Sequence, residues 1–152
     1  MCKRIFVAID GSSTAQLALK EAIQFASMPG VSLCIGKVID TGLLEQNNMG
    51  IGNLIDPEEI KTGMRTAAEK LLDSAVAQAK EAGLEPHRML IESNKKRVAE
   101  MIVEAAKQWD ADLIVIGTHG RRGFERMVMG SVAENLVRIA TTSVFLVRRK
   151  PA

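Results

Sequence analysis

Residues 113–116 read Leu-Ile-Val-Ile, an apolar run with no polar position, closed by Gly117. A strand of this kind has no face to offer water, so both faces must be covered, as in parallel sheets flanked by helices. The rest of the chain supplies the covering elements. Lys3 to Ile9 is a second short apolar run, and Asp10-Gly11-Ser12-Ser13 after it predicts a turn and a helix N-cap. The following helix carries Leu17, Ala18, Ile23 and Phe25-Ala26 at helical spacing, and Pro29-Gly30 stop it. Val31 to Ile39 reads as another strand, followed by a long segment over 40–55, rich in Gly and Asn, that reads as a mobile loop.

Asp56-Pro57-Glu58-Glu59 is a strong helix start: a capping carboxylate, a proline where no N–H is needed, and two acids at the positive dipole end. That helix is expected to run to Ala82, with Gly83 as its stop. His87 to Glu92 predicts a strand. Ser93 or Asn94 is expected to cap a helix reaching about Trp109, with Val98, Met101, Ile102 and Ala105 on its apolar face. Ser131 to Ala140 reads as a last helix and Ser143 to Arg148 as a last strand. The order βαβαβαβαβ implies a single α/β domain over residues 1–152, an open five-stranded parallel sheet with right-handed crossovers and helices on both faces. Ligands in such folds sit beyond the carboxyl ends of the strands, where the strand order reverses.

Composition narrows the function classes. The 152 residues can bury roughly 70% of the unfolded surface. A net charge of +2, with 3% aromatic residues and no Tyr, argues against nucleic acid as a partner. The apolar stretch at the start is too short for a secretion signal, and no run approaches a membrane span. Cys2 and Cys34 make no disulfide framework or metal spacing; Cys34 reads as a buried small hydrophobe and Cys2 as an exposed, oxidisable thiol. A cytoplasmic setting is the expectation.

The chemistry concentrates between Gly117 and Ser131. Gly117 and Gly120 allow sharp turns and close approach to a ligand without a Cβ in the way. Gly130 leads into a helix that begins Ser131-Val132-Ala133-Glu134, a candidate capping box. A helix N-terminus behind a glycine offers free N–H groups and a positive dipole end to a phosphate chain, and Ser131 adds a hydroxyl. Arg121, Arg122 and Arg126 set against Glu125 make the segment basic. The same residues read equally well as a surface turn with a helix cap. The segment is neither a Walker loop nor the GxGxxG fingerprint.

Three stretches carry a resemblance. Ile5-Phe6-Val7-Ala8-Ile9-Asp10-Gly11-Ser12, Asp112 through Arg121, and Gly130-Ser131-Val132-Ala133 through Ser143-Val144-Phe145-Leu146-Val147 together resemble the universal stress protein family over essentially the whole chain. The family's ATP-binding branch carries glycine, two residues, glycine, nine residues, then glycine and serine or threonine. Gly117, Gly120, Gly130 and Ser131 keep that spacing. The resemblance implies an adenine nucleotide alpha hydrolase-like, Rossmann-like fold that binds ATP, with AMP or ADP as alternatives. It implies that Gly117, Gly120, Gly130 and Ser131 wrap phosphates and ribose, with Arg121 beside them. Asp10 would stand at the ribose or a bound Mg²⁺, with Ala8 and Ile9 packed nearby. Val38 would touch adenine, and Ile116 and Val132 would line the pocket. It further implies a homodimer through the last strand, Ser143 to Arg148; a regulatory partner of unknown identity belongs to the nucleotide-dependent regulatory function.

At the third βα turn many relatives have a glycine followed by a small residue or proline, where this chain has Ser93-Asn94-Lys95-Lys96-Arg97. That cluster is either a solvated helix start or a contact for a partner or anion. Among single residues, Asp10 stands between cap, turn and ligand roles, and Arg121 and Arg122 between phosphate contact and solvated loop. His119 has no sequence-visible partner for base catalysis and reads as loop-structural or ligand-stacking; His87 reads as a surface residue opening a strand. Three functions stay open: a nucleotide-dependent regulatory protein, a slow ATPase or phosphotransferase, and a ligand-free dimeric scaffold.

Overall fold

Ser12 accepts the Ala15 N–H at 3.1 Å and starts the first helix, while Asp56 accepts the Glu58 N–H at 3.0 Å and starts the second. The computed structural model describes residues 1–42, 44, 56–119 and 129–150, and the loop expected over 40–55 lies largely outside them. Strands and helices alternate: β1 (Arg4–Ile9), α1 (Ser13–Ala26), β2 (Ser32–Asp40), α2 (Pro57–Glu81), β3 (His87–Ser93), α3 (Val98–Gln108), β4 (Leu113–Gly117), α4 (Ser131–Ile139) and β5 (Ser143–Val147). The strands form one parallel sheet in the order β3-β2-β1-β4-β5. At its centre Val7 lies between Ile35 and Val115.

Successive β1 residues feed different cores, as the two-residue strand period requires. Ile5, Val7 and Ile9 pack with Leu19 of α1, Leu72 of α2 and Ile35 of β2. Phe6 and Ala8 pack with Cys34, Ile114 and Ile116, beneath Ile102 of α3 and Leu136 of α4. The uninterrupted apolar runs of β1 and β4 thus match burial on both faces. At the strand starts, Asp112 accepts the N–H groups of Lys3 and Arg4 at 2.8 and 2.9 Å. Arg4 donates to the Trp109 carbonyl and lies 4.1 Å over its ring, so Trp109 packs against the second core from the end of α3.

The α2 helix ends as expected. Gly83, at φ +84°, donates to Lys80 and Leu84 donates to Ala79, an ending that glycine adopts without strain. Two expected caps are corrected. Ser93 does not cap α3, because it is the last β3 residue, paired opposite Asp40, and its hydroxyl accepts from Lys95 and Lys96 N–H groups instead. The helix begins at Val98 without a side-chain cap, and Lys96 of the basic cluster pairs with Glu104 at 2.7 Å. The capping box at Ser131 does not form either. Gly130 occupies the N-cap position, Ser131 is the first helical residue, and Glu134 pairs along the helix with Arg138 at 2.9 Å. Among the described residues no helix is long and apolar enough to cross a membrane.

The two edges of the sheet differ. Along β3, Arg88 pairs with Glu69 and Asp73 of α2, and Glu92 accepts from Nε and Nη2 of Arg65 at 2.9 and 2.8 Å. Along β5 the sequence is Ser-Val-Phe-Leu-Val, with Phe145 38% exposed. Val137 and Ile139 of α4, which leads into β5, are exposed as well.

Candidate nucleotide site

The chain leaves β1 toward β2 and β3 on one side and returns to β4 and β5 on the other, so the order reverses between β1 and β4. A cavity of about 520 Å³ opens there, at the carboxyl ends of β1, β2 and β4. Its floor is apolar: Ala8 and Ile9 from β1, Val38 from β2 and Ile116 from β4, with Val98 and Ile102 of α3 on one wall. Polar groups gather at the strand ends, where Asp10, Ser12, Lys37, Asp40, Thr118 and His119 reach the lining. An apolar pocket of a few hundred Å³ with a few convergent polar groups is the usual form of a small-molecule site.

Of the residues singled out in the sequence, Ala8, Ile9, Asp10, Val38, Ile116, Gly117, Gly130, Ser131 and Val132 all line this cavity. Gly120 and Arg121, with Arg122, Arg126 and Met127, lie outside the described residues. Among the described residues, the Gly130 N–H donates to the Thr118 carbonyl at 2.6 Å and the Thr118 N–H to the Val147 carbonyl at 3.0 Å.

The first intrahelical bond of α4 runs from Glu134 to the Gly130 carbonyl. The N–H groups of Ser131, Val132 and Ala133 therefore precede the helical ladder, and no side chain caps them among the described residues. All three residues line the cavity. The Gly130 N–H, by contrast, is already spent on Thr118.

Gly117 also has a close neighbour within the protein. A Cβ there would stand 2.7 Å from the carbonyl carbon and Oγ1 of Thr14, so the missing side chain makes room for the first turn of α1. Across that contact the Thr14 hydroxyl donates to the His119 carbonyl, and the Ser12 hydroxyl reaches the same oxygen at 3.3 Å.

Asp10 makes the turn it was weighed for, accepting the Ser12 N–H at 2.8 Å. Asp40 does the same for Gly42 at 2.9 Å at the end of β2, so two neighbouring strands deliver a carboxylate to the same cavity. Sequence reading missed Asp40, although its place at a strand end matched that of Asp10. It also missed Val98 and Ile102 as lining residues, although their helical spacing was noted. Among the described residues no three His, Cys, Asp or Glu side chains group into a metal site.

A match to the universal stress protein family spans residues 1–148. A universal stress protein of Mycolicibacterium smegmatis is 35% identical over 95% of this chain, which spans only 45% of that protein's length. A crystal structure from the same family, from Burkholderia pseudomallei, is 32% identical, with TM-score 0.76 and 95% of each chain covered. A universal stress protein from Archaeoglobus fulgidus in complex with dAMP is 27% identical, with TM-score 0.66, covering 95% of this chain and 97% of its own. With the family match running from the first strand to the last, and the same fold in relatives of this identity, the chain belongs to the universal stress protein family.

Proposed function

We propose that the cavity binds an adenine nucleotide, ATP first among them, and that the protein is a regulatory one whose nucleotide occupancy a partner reads. The observation that carries this reading is the uncapped start of α4: three amide groups that precede the helical ladder belong to residues lining an otherwise apolar cavity. An apolar floor suits a purine, and free amides at a positive dipole end suit phosphate oxygens. The dAMP complex of the Archaeoglobus fulgidus relative supports the same ligand class. In the full reading Gly117, Gly120, Gly130 and Ser131 surround the phosphates and ribose, with Arg121 beside them and Val38 at the base.

Mg²⁺ is commonly held by one or two carboxylates together with substrate phosphates, and Asp10 and Asp40 offer that number. The ion would neutralise phosphate charge. Rapid phosphoryl transfer also wants a cationic clamp and a group orienting the nucleophile. The described lining offers Lys37 as a cation and no evident group to orient water, so hydrolysis, where it occurs, is slow.

Calorimetric titration with ATP, ADP and AMP, each with Mg²⁺, tests the reading. Wild-type protein is expected to bind, Ser131→Ala to bind several-fold more weakly, and Val38→Phe, which fills the floor, to bind poorly. Turnover far above a slow background would move the protein to the enzymes. Failure of all three nucleotides would favour a ligand-free dimeric scaffold.

The contrast between the sheet edges supports a homodimer through β5. Both outer strands are edges, but β3 carries Arg88 and Glu92 in ion pairs to α2, whereas β5 carries the exposed Phe145. Sedimentation of wild-type protein against Phe145→Lys tests it: a dimer is expected to become a monomer. The unpaired Cys2 and Cys34 support a reducing, cytoplasmic setting.

A further inference from the structure

A second cavity, of about 380 Å³, opens between α1 and α2, on the face of the sheet that these two helices cover. Its floor is apolar: Ile9 at the end of β1, Leu19 of α1 and Ala75 of α2 are each buried there, and Leu71 packs beside them. Its rim is polar, with Ser13 and Gln16 of α1 set against Ser74 and Gln78 of α2. The two glutamines join the helices, because Gln16 Nε2 donates to Gln78 Oε1 at 2.5 Å. Packed helices ordinarily interdigitate and leave few voids larger than a water. Here the small side chains of Ala15, Ser74 and Ala75 leave the space between the helices unfilled. Among the described residues no charged side chain lines it.

We infer that this cavity is a second small-molecule site, for a neutral ligand that carries a primary carboxamide on a compact apolar body. A charged ligand would leave water without meeting a counter-ion in the lining, a cost that a neutral one escapes. The apolar floor takes the body of the ligand. One bond joins the glutamines, so Gln16 keeps its carbonyl oxygen as an acceptor and Gln78 keeps its amino group as a donor. A primary carboxamide carries an acceptor and a donor side by side, so one planar head serves both walls. The Ser13 and Ser74 hydroxyls, which donate or accept, complete the rim. The site stands apart from the nucleotide reading, since Leu71, Ser74, Ala75 and Gln78 line this cavity and not the first.

Benzamide is the probe, with benzoate as its charged counterpart of the same shape. Titrated into ¹⁵N-labelled protein near neutral pH, benzamide is expected to move the amide signals of Leu71, Ser74, Ala75 and Gln78 saturably, and benzoate to leave them in place. No shift with benzamide up to its solubility overturns the inference, and so does an equal response to benzoate. Shifts confined to Val38, Ile116 and Val132 also overturn it, because those residues line only the first cavity. Gln78→Leu, which keeps bulk and loses the amide, is expected to weaken benzamide about fivefold. Ser74→Phe, which fills the space from an exposed position, is expected to abolish binding. Unchanged affinity in either variant overturns the inference, and equal thermal midpoints show that both variants are folded. ATP titrated beside benzamide keeps the two readings apart: a response to ATP alone sinks this inference, and a response to benzamide alone sinks the nucleotide reading.

Discussion

Gly117 and Thr14 stand so close that a β-carbon on the glycine would fall 2.7 Å from the carbonyl carbon of the threonine. Part of the obstruction is backbone, which no rotamer change removes. Gly117→Ala is therefore expected to destabilise the fold by about 1–3 kcal/mol, read as a lower urea midpoint. Adding Thr14→Ala should recover little, because the carbonyl carbon remains. Full recovery would place the conflict in the side chain. A Gly117 variant that binds no nucleotide thus reports on folding before it reports on phosphate.

Gly36 offers the opposite case. A Cβ there would lie 2.4 Å from Cζ of Phe6, a ring wholly buried between β2 and the second core. Gly36→Ala should cost about 1–3 kcal/mol, and the cost should shrink when Phe6→Leu is added. A double-mutant cycle measures this, and strict additivity would contradict the contact.

Acid should loosen the junction of β1 and β4. The Lys3 and Arg4 N–H groups hold the Asp112 carboxyl below its ordinary value of 3.8. A carboxylate lowered in the folded state contributes stability above its unfolded value and loses it as pH falls through the folded one. Between about pH 5 and pH 2, the stability of Asp112→Asn should fall less steeply than that of wild type. Glu92, lowered by its hydrogen bond with Arg65, titrates in the same direction, so the slope should flatten without vanishing. Urea midpoints across that range are the measurement, and parallel curves would contradict the assignment.

The two thiols should separate cleanly. Burial pushes Cys34 up to about 12, and its side chain is inaccessible in the second core, whereas Cys2 is exposed. Native protein at pH 8 should yield one reactive thiol to a disulfide reagent and two after denaturation. Rapid modification of both would mean that the second core opens easily.

Much of this was readable in advance for physical reasons. Apolar runs without polar interruption announced strands covered on both faces, and Asp56-Pro57 and Gly83 announced the limits of α2 because capping is local chemistry. The spacing from Gly117 to Ser131 led to the cavity, since each described residue of that pattern lies on its wall. What escaped depends on contacts between distant segments. Ser93 resembled a cap until its pairing with β2 claimed it, and the closeness of Gly117 to Thr14 joins positions that the sequence places far apart. The two hydroxyls on the His119 carbonyl emerge only when the fold brings Ser12 and Thr14 to it.

If the proposed pairing through β5 forms, the contrast between a charged margin and an apolar one favours a single extension of the sheet. Two copies that meet through β5 would present only β3 edges at the outside, where Arg65, Arg88 and their acidic partners meet water. Growth of such an assembly would be expected to stop at the first contact. A chain equally apolar at both margins would instead keep adding copies, and the carboxylates on Arg65 and Arg88 mark the difference between a closed pair and a fibre.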